Sequence, residues 1–129
     1  MNKDNMNFYI KKGADLPILK VEPIKDGRSD YKKFMEDLES STILFSMVDS
    51  KTGIYKIANG EAYLVAKETI EPTPTVEYYI YYQFKKRETN TPGIYKGEFL
   101  IRNEDGDLIL PLREELTIII LDSFIKKFN

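Results

Sequence analysis

The chain has 129 residues, 42% hydrophobic and 31% charged, with a formal charge of −2 and no histidine, cysteine or tryptophan. That size fits one globular domain burying roughly two-thirds of its unfolded surface, and a near-neutral charge gives no basis for a nucleic-acid partner. Without cysteine there is no disulfide framework or thiolate metal site, and without histidine there is no Ser-His or Cys-His nucleophile pair.

Along the chain, Met6 to Lys11 reads as a short strand closed by Gly13. Leu16 to Val21 reads as a second strand whose Pro17 suits an edge or a strand beginning. The cluster around Asp26-Gly27 is a turn. Asp30 to Glu39 carries the one helical signal, with Tyr31, Phe34, Met35 and Leu38 at i, i+3, i+4 and i+7. Glu36, Asp37 and Glu39 fall on its solvent face.

Thr42 to Val48 predicts a strand with Ile43, Phe45 and Met47 on one side, turned back by Asp49 to Gly53 onto a strand over Ile54 to Ala58. Asn59-Gly60 predicts a type I′ hairpin turn, because both central residues of such a turn need positive φ. A strand over Glu61 to Lys67 follows, with Ala62, Leu64 and Ala66 opposed to Tyr63 and Val65. Thr69 to Thr75 carries two prolines and is expected to be a protruding loop.

Val76 to Lys86 alternates: Val76, Tyr78, Ile80, Tyr82 and Phe84 take one face, and Glu77, Tyr79, Tyr81, Gln83 and Lys85 the other. After a Pro-Gly turn, Tyr95, Gly97, Phe99 and Ile101 share a face. Asn103 to Asp107 turns the chain again, and Leu108 to Leu110 with Leu116 to Leu121 supply the closing strand or strands. Ile118, Ile119 and Ile120 are consecutive, so that strand is apolar on both faces and is expected to be central or covered. Short strands at this spacing predict an all-β antiparallel sandwich of about seven to eight strands over residues 1–121, followed by a tail at 122–129.

Candidate chemistry is sparse. The acidic turn Asn103 to Asp107 lacks EF-hand spacing and reads as an ordinary Asp-Gly turn rather than a calcium site. Ser40, Ser41 and Thr42 offer hydroxyls without a partner base. Lys85 to Arg87 and Lys126-Lys127 are short basic runs that read as solvated ends. No catalytic residue, metal or cofactor is expected. The tyrosines say more: alternation prevents Tyr79 and Tyr81 from sharing the core with Tyr78 and Tyr82. They read as cross-strand packing, as a protein interface, or as a stacked-aromatic sugar site. In the tail, Phe124, Ile125 and Phe128 follow the last strand, and fit either packing on the domain or docking on a neighbour.

Three segments carry a resemblance: Phe8 to Pro17, Ile43 to Gly53, and Tyr82 to Phe99 with the Asp105-Gly106 turn and Leu110-Pro111. In their strand and turn signatures they resemble the immunoglobulin-like N-terminal domain of phage baseplate upper proteins and related virion components. The helical segment 30–39 is longer than that pattern. The resemblance implies an immunoglobulin-like sandwich and a non-enzymatic structural module in symmetric rings or collars, at a tail, baseplate, neck or capsid-decorating position. Its implied partners are other virion proteins and copies of itself, with neither nucleic acid nor membrane, and its implied location is the virion, after synthesis in the host cytoplasm. Tyr79, Tyr81, Phe124, Ile125 and Phe128 are the expected interface residues. The rival expectation is a carbohydrate-binding β-sandwich module.

Overall fold

A computed structural model describes residues 6–23, 38–70, 72, 75–112 and 114–125 of the chain. Its longest strand organises the rest. β7 (Gly93–Asn103) buries alternate residues, and Tyr95, Gly97, Phe99 and Ile101 all face inward as the alternation predicts. On one side β7 pairs antiparallel with β3 (Thr42–Asp49) over eight residues, from Thr42↔Arg102 to Asp49↔Tyr95. On its other side two strands share one edge end to end. β9 (Leu116–Leu121) takes Gly93 to Gly97, and β8 (Gly106–Leu110) takes Phe99 to Asn103. Pro111 has no N–H to give to a ladder, so the pairing stops at Leu110 and resumes with β9 at Leu116.

β1 (Met6–Lys11) lies parallel to β9 from Met6↔Leu116 to Lys11↔Leu121, and β4 (Tyr55–Glu61) borders β3. These six strands form the larger sheet. The smaller sheet has β6 (Thr75–Tyr82) between β2 (Leu19–Val21) and β5 (Tyr63–Thr69), both antiparallel to it. The fold is therefore an all-β sandwich, with nine strands among the described residues. β9 stands between β1 and β7, the central position its isoleucine run predicts.

The two sheets meet on an aromatic cluster. Phe45 of β3 is fully buried, with ring centroids 4.6 Å from Tyr82, 4.9 Å from Phe99 and 5.8 Å from Phe84. Tyr82 and Phe84 meet edge to face at 5.2 Å, and Phe8 of β1 stacks on Phe84 at 5.7 Å. Truncating a ring such as Phe45 in a core of this density costs about 3–5 kcal/mol. Gly97 belongs to the same packing, since a Cβ there would lie 2.8 Å from the Phe45 ring.

Several expectations are corrected. Asn59-Gly60 is not a hairpin turn. Phe45↔Gly60 and Met47↔Ile57 leave three steps on β4 against two on β3, so Asn59, at φ 56°, sits in a β-bulge inside the strand. The Ser46 hydroxyl accepts from the Asn59 N–H at 3.0 Å and holds the bulge. After Glu61 the chain does not fold back beside β4 but crosses at Ala62 to the other sheet and begins β5. The second strand starts at Leu19 rather than Leu16. β6 ends at Tyr82; Gln83 to Lys85, expected to continue it, are in no strand, and a 3-10 turn over Lys86–Thr89 (η1) follows. Val76, assigned to the core face, is 49% exposed because it lies at the far end of β6. Thr69 and Thr75, expected in the loop, pair with each other as the ends of β5 and β6. Of the expected helix, residues 30–37 lie outside the described residues. Leu38, at its end, is buried.

Candidate protein interface

The smaller sheet turns one face to the core and the other outward. Register puts Tyr63 opposite Tyr81 and Val65 opposite Tyr79 across β5 and β6, with Lys20 of β2 opposite Tyr81 on the far side. Tyr79 and Tyr81 are thus together on the outer face, both half-buried, while Tyr82 is in the core and Tyr78 is half-buried on the inner side. The rings of Tyr63 and Tyr81 are 5.8 Å apart. Lys20 Nζ stands 4.5 Å above the Tyr79 ring, with Lys67 Nζ at 5.9 Å on the same ring. The Tyr79 hydroxyl donates to Glu77 at 3.2 Å. Burial pushes the Tyr79 phenol up, and its bond to Glu77 adds to the rise. The result is an aromatic platform with fixed rings and a charged rim, which loses little side-chain entropy on contact.

The tail leaves from a different sheet. Past β9, the Asp122 carboxylate accepts from the Ser123 N–H at 2.8 Å, and Ser123 Oγ accepts from the Ile125 N–H at 3.2 Å. Phe124 is 98% exposed and Ile125 66%, so neither packs on the domain. Phe128 lies outside the described residues. The four expected interface residues that are described therefore fall on two surfaces: Tyr79 and Tyr81 on the smaller sheet, and Phe124 and Ile125 past the end of the larger one.

The outer face of the larger sheet was not singled out from sequence, and it carries a second surface. Register aligns Tyr9, Ile119 and Ile94 in one row, and Leu44, Leu100 and Ile109 in another. Tyr9 and Ile94 are each 53% exposed, and Ile109 50%. Between the rows, where β8 has ended and β9 has not begun, is a cleft of about 370 Å³ lined by Val48, Tyr55, Pro111 and Leu116 with Lys96, Glu98, Glu114 and Glu115. Glu114 Oε2 is buried and has no hydrogen-bond partner among the described residues. Lys96, beside it, is committed to Glu115 at 2.6 Å and to Thr117 Oγ1 at 3.0 Å. The sequence signal for this face was the triple isoleucine, whose middle member, Ile119, faces outward.

The remaining polar groups serve the fold. The Tyr82 hydroxyl donates to Glu88 Oε1 at 2.8 Å, and the same oxygen accepts from the Lys85 N–H at 2.8 Å. Burial raises the Tyr82 phenol well above its usual value, and the Glu88 bond adds to the shift. In the acidic turn, Asn103 Oδ1 accepts from the Asp105 N–H at 2.8 Å, and Arg102 grips Asp107 at 3.0 and 3.3 Å. Glu39 accepts from the Tyr78 hydroxyl at 2.7 Å. Among the described residues, no three acidic side chains converge as a metal site would require, and no helix is long and apolar enough to cross a membrane.

No protein-family model matches the chain, and no curated protein matches it.

Proposed function

We propose that this chain is a non-enzymatic structural component of a phage virion, at a tail, baseplate, neck or capsid-decorating position, working by contact with neighbouring subunits. The observation that carries the reading is the outward platform of Tyr63, Tyr79 and Tyr81, with Lys20 fixed over Tyr79. Tyrosine is among the residues enriched at the energetic anchors of such interfaces, and a few anchors per subunit set the energy of a repeating contact. The immunoglobulin-like label belongs to the same proposal, supported by the two-sheet sandwich of short strands and by the strand-and-turn resemblance. A sugar-binding module has less support. Its amides should sit beside the tyrosines, whereas the platform's neighbours are Lys20, Lys67 and Glu77, and Asn59 and Gln83 line a separate cleft.

Replacing both outward rings (Tyr79→Ala with Tyr81→Ala) tests the proposal. The isolated domain should keep its strand spectrum and a cooperative unfolding transition, while incorporation into particles is lost. Unchanged incorporation would refute it.

A further inference from the structure

We propose that β5 pairs edge to edge with β5 of a second copy of this chain, antiparallel about a two-fold axis through Val65, so that two smaller sheets join into one. This contact rests on the assembly reading above and names the partner and the strand that meets it. An edge strand offers a row of N–H and C=O groups to any other strand, and folded domains blunt such edges with bulges, charges or short length. β4, at the edge of the larger sheet, carries the Asn59 bulge. β2, at one edge of the smaller sheet, pairs over three residues. β5, at the other edge, pairs with β6 over seven residues without a register shift and contains no proline. Among the described residues no strand lies on its outer side. Ala66, Lys67 and Glu68 are exposed in succession, so both faces of its second half are open, and Tyr63 is 45% exposed.

The side chains of β5 fit a copy of themselves in one register. Residues directly opposite in an antiparallel pair share a face, so a two-fold axis normal to the sheet passes through a residue. Centred on Lys67 or Glu68, the pairing opposes like charges, and centred on Ala66 it sets Leu64 against the partner's Glu68. Centred on Leu64, it runs into Ala62, where the chain crosses to the other sheet. Centred on Val65, it opposes no charges. That register sets the partner's Ala66, small and exposed, against the half-buried Leu64. It also sets the partner's Lys67 against Tyr63, on the side of the strand away from Tyr81. Lys67 can supply that cation, because its contact with Tyr79 in its own chain is long, at 5.9 Å. The joined outer face then carries one band. Tyr79, Val65, the partner's Val65 and the partner's Tyr79 form the row on the axis. Lys20, Tyr81, Tyr63 and the partner's Lys67 flank it on one side, with their two-fold mates on the other. Two tyrosine platforms become one surface, and the rings of Tyr79 and Tyr81 stay outside the pairing.

Sedimentation equilibrium on the full chain tests this with Val65→Lys and Val65→Glu. A residue on the axis meets its own copy, so either substitution alone opposes like charges and should weaken dimerisation about tenfold or more. Mixed in equal amounts, the two variants bring opposite charges together and heterodimer should return, each variant keeping its strand spectrum and cooperative unfolding. Lys67→Glu, at an exposed site, should also weaken the dimer, because it takes the cation from Tyr63. A monomeric unaltered chain, dimerisation unchanged in any of the three variants, or a mixture that stays apart overturns the edge pairing. Tyr79→Ala with Tyr81→Ala leaves the paired strand unaltered and should dimerise as the parent chain does. Loss of its dimer would put the contact on the tyrosine face and overturn the edge pairing too. None of these results decides the assembly reading, which fails only if the double tyrosine variant still enters particles.

Discussion

The Tyr82 hydroxyl donates to Glu88 Oε1 across 2.8 Å inside the sandwich, and that contact ties the smaller sheet to the turn that follows it. Tyr82 is 2% exposed and Glu88 8%, so both partners are largely shielded from water. The same carboxylate oxygen accepts from the Lys85 N–H, closing the start of η1. One acidic side chain thus serves a buried phenol and a backbone amide at once.

Removing each partner should have unequal effects. Glu88→Ala leaves a buried phenol and a partly buried amide without their acceptor and is expected to cost about 2–3 kcal/mol. Tyr82→Phe leaves Glu88 its bond to the Lys85 amide and should cost about 1 kcal/mol. Urea unfolding of the two variants measures the difference. Equal losses would mean that the carboxylate does no more than accept from Tyr82.

Much of the sandwich was legible because period-two alternation reports which face of a strand is buried, whatever the strand pairs with. Phe45, Ile80, Tyr82, Phe99 and Ile101 could be placed in the core on that basis, and all of them are buried. Sheet membership could not be read, because alternation is silent about neighbours. The pair Asn59-Gly60 shows why: positive φ at Asn59 serves a hairpin turn and a bulge equally well, and only the pairing of β4 with β3 distinguishes them. The candidate site was legible in the same partial way. Alternation turned Tyr79 and Tyr81 outward, but the partners Lys20 and Tyr63 and the gap between β8 and β9 are properties of register.

Gly60 is required by what lies beneath it. A Cβ at this position would sit 2.7 Å from the Tyr82 hydroxyl oxygen and 2.9 Å from Tyr82 Cε1. Gly60→Ala is therefore expected to destabilise the domain by about 1–3 kcal/mol through overpacking. Tyr82→Phe removes the nearer of the two atoms, so the double variant should recover part of the loss and the two substitutions should not add. Thermal or urea unfolding of the four-member cycle reports the coupling. Strict additivity would place the strain elsewhere in the bulge.

Asp49 gives the acid limb of stability a specific origin. Its Oδ1 accepts from the Lys51 N–H at 2.8 Å and the Thr52 N–H at 3.0 Å, pinning the turn from β3 into β4. The Lys51 amide first, and then the Thr52 amide, hold its carboxyl below the usual value of 3.8. A depressed folded pKa means that the unfolded chain takes up the proton first. The stabilisation is therefore complete above the ordinary carboxylate value and is lost as pH falls through the depressed one. Asp49→Asn keeps an acceptor for the two amides but has no charge to titrate. Its stability, followed by urea unfolding from neutral pH down through the acid range, should fall less steeply below pH 3.8 than that of the unaltered chain. Parallel acid limbs in the two proteins would assign the slope to other carboxylates.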